Sequence, residues 1–153
     1  MTDMQRGKYF EEFEVGMSFT SPGRTVTESD IVSFAGLSGD YTQIHTDVEF
    51  SKETPVGQRV AHGLLGLAIA SGLAVRTGVL EGTVIAFREI TDWKFVKPIF
   101  IGDTVRVAQN ILEVKALPRL GGGAINIELK ILNQNDEIVM KGIWKVLVAS
   151  SPE

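Results

Sequence analysis

The sequence predicts an α+β fold: one apolar helix wrapped by a curved antiparallel sheet. Three observations predict it. Helix signals crowd into the first half, between Thr27 and Arg76. Within them, Leu64 to Val75 is apolar or small on every side, which suits a helix buried all round. After Gly82 come four long strand-like runs with turn residues between them. Helices grouped first and strands second make an α+β chain.

Each element has its own signal. Met17 to Thr20 and Arg24 to Val26 read as short strands around the turn Ser21-Pro22-Gly23. Thr27-Glu28-Ser29-Asp30 has a hydroxyl and, three residues on, an acid, so it should cap a helix with Ile31, Phe34 and Ala35 on one face. Gly36 or Gly39 should close it. Val48 to Glu53 suits one or two helical turns, capped by Thr46 or Asp47 and stopped before Pro55. The apolar helix should start at Gly63 and end near Arg76 and Gly78. Strands are expected over Thr83–Phe95, Thr104–Lys115, Ala124–Leu132 and Glu137–Ala149, joined as a meander. The clearest alternates Ile125, Ile127, Leu129 and Ile131 with Asn126, Glu128 and Lys130. A single sheet around one helix leaves an edge strand open, which a second copy would close.

The chain of 153 residues suits one domain, 1–153, with a core of ordinary size. It has no cysteine, so disulfides and thiolate metal sites are excluded, and two histidines make a His-rich metal site improbable. Net charge is −4 with no dense basic patch, which argues against nucleic acid. The stretch MTDMQRGKYFEEFEVG is acidic and lacks a long apolar run, and Leu64–Val75 is too short to span a bilayer. The expectation is a cytoplasmic protein without a membrane partner.

The chemistry concentrates in SGDYTQIHTD, Ser38 to Asp47, which holds Asp40 and one of the two histidines, His45. Five residues apart behind Gly39, they should be presented by a loop rather than one helix face. A carboxylate and an imidazole side by side can polarise a water as general base or acid, provided burial raises the Asp pKa. The same spacing also suits an Asp that caps a turn and a packed His. The second piece is Ala61-His62-Gly63 at the start of the apolar helix. Helix-start N–H groups lack internal partners and carry the positive dipole end, so Gly63 N–H could hold a developing oxyanion. Gly63 could equally serve only tight packing. Together, a base pair and an anion-holding N–H are the parts needed to add water across a bond conjugated to a carbonyl.

FAGLSGDYTQIHTDVEFS resembles the hydratase signature of the MaoC-like, (R)-specific enoyl-CoA hydratase family. The resemblance covers about Phe13 to Val148 and implies a hot-dog fold. It places Asp40 and His45 on the catalytic aspartate and histidine, with Ile44 on the aliphatic position. VAHGLLGLAIASGL resembles the family's central-helix start, which gives Gly63 the oxyanion role and puts Ser71 on a helix serine near the active site. FVKPIFIGDTV, which contains Lys97, resembles its strand-turn segment. The implied activity is hydration of trans-2-enoyl-CoA to (R)-3-hydroxyacyl-CoA, or the reverse dehydration. Coenzyme A then belongs to the substrate, and no separate cofactor or metal is implied. One departure stands out: the family's usual Asn-Pro is Thr42-Gln43 here. Thr42 keeps one hydroxyl and Gln43 an amide, so either could brace the loop or place the water.

Other polar residues read more plainly. His62 reads as a packed or loop-bonding ring, with a third catalytic group as the alternative, and Asp47 as a helix cap, with orienting His45 as the alternative. Trp93 and Trp144 suit core or interface. Arg88, Lys94, Lys97 and Arg119 are candidate coenzyme A phosphate contacts. PRLGGG lacks the Gly-Lys-Ser/Thr ending of a phosphate loop. The rival functions are a hot-dog thioesterase and a non-catalytic acyl-CoA-binding protein. The expected assembly is a homodimer or a higher oligomer of dimers.

Overall fold

The computed structural model describes residues 7–152. The first six residues of the acidic N-terminal stretch lie outside them. Two short strands, β1 (Ser18–Thr20) and β2 (Arg24–Thr25), precede helix α1 (Glu28–Ser38). The capping box is formed: Thr27 N–H donates to Asp30 Oδ2 at 2.9 Å, and Asp30 N–H reaches back to Thr27 Oγ1. Gly39 ends the helix at φ +79°, a left-handed turn that glycine adopts without a Cβ clash. Two short helical turns follow, α2 (Gln43–Thr46) and α3 (Val48–Lys52), the latter capped by Asp47 Oδ1 on Phe50 N–H at 2.9 Å. The central helix α4 spans Gly63–Arg76.

Four long strands complete the chain: β3 (Val84–Phe95), β4 (Thr104–Leu117), β5 (Gly122–Leu132) and β6 (Ile138–Ala149). The expected alternation on β5 is borne out, with Ile125, Ile127, Leu129 and Ile131 buried beneath the helix. The meander is only partly correct. All neighbours are antiparallel, but the order is β1-β4-β5-β6-β3, so β3 pairs with β6 and not with β4. The link of residues 96–103 makes this crossing possible. Three strand spacings amount to roughly 14 Å, well within the reach of eight extended residues. On its way the link bonds Val96 and Lys97 N–H to Val139 O, then pairs Phe100 with Val60 and Ile99 O with Ala61 N–H. It thereby becomes the wall beside the start of α4.

The helix is not buried all round. Leu65, Gly66, Ile69, Ala70, Leu73 and Ala74 face the sheet. Leu64 (62% exposed), Ala68, Ser71 and Val75 (51%) lie on the open side. A sheet can curve around only one flank of a helix, so the opposite flank stays uncovered in a single chain. That flank continues onto β3, whose outer edge has no strand beside it among the described residues and shows Val84, Ile85, Phe87 and Ile90. No helix among the described residues is long and apolar enough to cross a membrane.

Candidate active site

The loop from Ser38 to Asp47 turns out to be partly helical. Asp40 sits just past the Gly39 turn, while His45 rides on α2, a single turn begun by its own N–H donating to Thr42 O at 2.9 Å. Ser51 Oγ donates to the Gln43 and Ile44 carbonyls, Val60 N–H donates to Ile44 O, and Arg59 Nε donates to His45 O at 2.7 Å. Arg59 also pairs with Glu28 on α1. This short turn is therefore held from three sides, which its length alone could not achieve.

His45 is buried, and its Nδ1 lies 2.7 Å from Val60 O. A carbonyl only accepts, so Nδ1 carries the hydrogen and Nε2 is left with a lone pair. That Nε2 is 3.9 Å from Asp40 Oδ2. The separation is too long for a direct hydrogen bond and suits one water donating to both acceptors.

Asp40 departs from expectation. The carboxylate is half exposed, the upward pull of burial is outweighed, and its pKa is held below its ordinary range. The Thr42 hydroxyl is the first cause, donating to Oδ1 at 2.6 Å, and the Thr42 N–H the second, at 3.1 Å. Donors aimed at the ionised form outweigh desolvation here. Thr42 thus braces the carboxylate itself. The Gln43 side chain makes no comparable contact with Asp40 among the described residues.

His62 belongs to the cluster, and its ring both packs and bonds to the loop. Its ring stacks on His45 at 3.8 Å, and its Nε2 lies 2.9 Å from Asp40 O. Nothing in the spacing announces this, because the contact is to a main-chain carbonyl 22 residues away. Ligand atoms of Asp40, His45 and His62 lie within 4.8 Å of one another. Yet one nitrogen on each ring is committed to a carbonyl, and the rings stack instead of converging edge-on as imidazoles do around an ion.

Gly63 lies at the first turn of α4, and no backbone carbonyl among the described residues takes up its N–H. A Cβ there would sit 2.8 Å from Phe95 Cε1, so any larger residue would displace that ring. Gly63 and His45 line one apolar hollow of about 360 Å³, walled by Phe95, Ile99 and Met140. Lys97 lines it too, its ammonium paired with Glu137. Ser71 is not brought to this place. It donates to Ala68 O at 2.6 Å and lines a second hollow on the open flank of α4. Arg88 lines another cavity with Lys115 and Lys145, Lys94 yet another with Lys141, and Arg119 lies in the 118–120 turn.

A profile described as MaoC like domain matches residues 12–126. Protein MaoC of Klebsiella aerogenes is 44% identical over 100 residues, which are 65% of this chain and 29% of that protein. The chain therefore spans under a third of that relative. The 3-hydroxybutyryl-CoA dehydratase of Methylorubrum extorquens is 30% identical over 95% of this chain and 87% of its own. A solved structure described as a monoamine oxidase regulatory protein of Archaeoglobus superposes with a TM-score of 0.88 at 35% identity, over 96% of this chain and 97% of that one. The unliganded R-hydratase of Pseudomonas aeruginosa does so with 0.77 at 27%, over 94% and 86%. With a helix-on-sheet hot-dog and a profile match over most of its length, the chain belongs to the MaoC-like domain family.

Proposed function

We propose that the chain hydrates trans-2-enoyl-CoA to (R)-3-hydroxyacyl-CoA and catalyses the reverse dehydration, with Asp40 and His45 as the base pair. One observation carries the reading: the 3.9 Å gap between Asp40 Oδ2 and His45 Nε2, beside an apolar hollow that also receives Gly63. A water in that gap donates one hydrogen to each acceptor and turns a lone pair toward the β carbon. As the C–O bond forms, one water proton passes to the pair and the π electrons move onto the thioester oxygen. The Gly63 N–H holds that enolate oxygen, where a fixed dipole costs no reorganisation. The pair then returns a proton to the α carbon. The acyl chain lies in the hollow, and Lys97 can trade Glu137 for a coenzyme A phosphate. Coenzyme A is part of the substrate, and no other cofactor enters.

A homodimer is part of the proposal. A second copy laid along β3 and the open flank of α4 covers Leu64, Ser71, Phe87 and Ile90, which a lone chain leaves in water. The Thr42-Gln43 pair favours one second reading, a non-catalytic acyl-CoA binder. Incubation with crotonyl-CoA separates the possibilities. Loss of enoyl absorbance with intact thioester is the expected result. Release of free coenzyme A would indicate a thioesterase, and binding without conversion the non-catalytic protein.

A further inference from the structure

His62 is 2% exposed, and the reaction just described gives it no task. Its Nε2 must donate to Asp40 O, so Nδ1 is left as a bare lone pair, and that buried atom has no partner. A hydrogen on Nδ1 would be an orphan donor, which fixes the ring as the Nε2–H tautomer. The ring's surroundings are equally fixed. Phe34 lies 4.9 Å away at a 60° tilt, and His45 is stacked at 3.8 Å and 25°.

His62 therefore touches both halves of the base pair by different means. It holds Asp40 through the main chain and His45 through the ring face. Thr42 holds only the Asp40 carboxylate, and Val60 O holds only the His45 Nδ1. We infer that His62 is a positioning residue that sets the Asp40–His45 gap by clamping one partner with its Nε2–H and the other with its ring. The kinetic part of this inference rests on the proposed hydratase reading; the tautomer does not.

Three substitutions at one site take the clamp apart. The amide nitrogen of His62→Gln reaches about as far as Nε2, whereas that of His62→Asn stops near Nδ1. His62→Phe keeps a stacking ring without a donor. A gap widened by the order of 1 Å costs up to about a hundredfold. His62→Asn and His62→Phe should accordingly lose about ten- to a hundredfold in kcat on crotonyl-CoA with KM changed less than about threefold. His62→Gln should recover to within about fivefold of wild type, because it restores the donor. A purely packing role predicts that the three losses follow the melting temperatures, with no advantage for Gln over Asn. Should His62→Phe fail to fold, the Gln–Asn pair decides alone.

The second readout needs no turnover. The chain has two histidines, so ¹⁵N-imidazole spectra assign each ring directly. The expected result is an exchange-protected Nε2–H on His62, lost in His62→Phe together with a shift of the His45 nitrogens. An Nδ1–H form of His62 overturns the inference. Wild-type protein that converts no enoyl thioester, yet shows these signals, sinks the hydratase reading and upholds the clamp.

Discussion

Two hollows flank the same helix, at about 360 Å³ beside its start and about 330 Å³ along its open side. Both are walled mainly by apolar side chains, and they share no residue. The first is lined by His45, locked on Val60 O, and by Gly63 with its free N–H, and Asp40, braced by Thr42, stands 3.9 Å behind His45. The second offers Leu64, Leu67, Ala68, Phe87, Ile90 and Trp144, with a Ser71 hydroxyl already turned back onto its own helix. Size and greasiness are thus common to both, and only fixed polar atoms separate the hollow proposed for chemistry from the one proposed for association. The first hollow should answer to substitution in rate, and the second in assembly.

The largest effect falls on the polar border. Asp40→Asn and His45→Gln should each remove about two to four decades of kcat with the melting temperature little changed. Retention of more than about half the wild-type rate in both would end the base-pair assignment. Next comes the apolar flank. Leu64→Lys places a charge in the proposed contact and should weaken self-association by at least about tenfold in sedimentation velocity. Wild-type protein that stays monomeric at micromolar concentration would remove the reason for the exposed flank. Gly63→Ala pushes a methyl into the Phe95 ring and should lower kcat by about tenfold through the displaced N–H. Adding Phe95→Leu should recover part of that loss; if it recovers none, the ring is not what demands glycine.

The smallest effect is at Thr42. Thr42→Val deletes the hydroxyl that contributes most to lowering the Asp40 pKa. The carboxyl should then hold its proton to higher pH, moving the acid limb of the kcat/KM profile upward. At neutral pH, losing one neutral donor should reduce kcat by about two- to tenfold. Thr42→Asn should retain activity, since an amide N–H can donate to the same oxygen. An unmoved acid limb in Thr42→Val would mean that a group other than Asp40 titrates there.

Periodic features were legible in the sequence because each reports a local cause. The β5 alternation and the Thr27–Asp30 box depend on neighbours two or three residues away, and both formed as read. The placement of β3 was not legible. Val84 to Phe95 looks like any strand, and what seats it against β6 is the path of a distant link. The open flank of α4 was misread for a related reason. Leu64 and Val75 are aliphatic like Leu65 and Leu73, so the open face and the core face are written alike. At the site, Asp40 and His45 stand in one motif and could be paired on sight. The direction of the Asp40 shift could not, since it depends on where the Thr42 hydroxyl points. The loop bond of His62 formed as read, but its partner could not be named, because main-chain acceptors have no letter in the sequence.

That last point bears on how such a site can change by descent. Both imidazoles have their hydrogens set by main-chain oxygens, those of Val60 and Asp40. A codon change at position 60 swaps a side chain and leaves the carbonyl where it was. The orientation of His45 is thereby insulated from most single mutations at its own anchor, while the Thr42 hydroxyl is a side-chain part that one mutation can replace. Drift and selection meet no such insulation at 42, and that is where this chain already departs from the Asn-Pro pattern it resembles. The site is built so that the orientation of its imidazoles is inherited with the fold and the state of its carboxylate is inherited residue by residue.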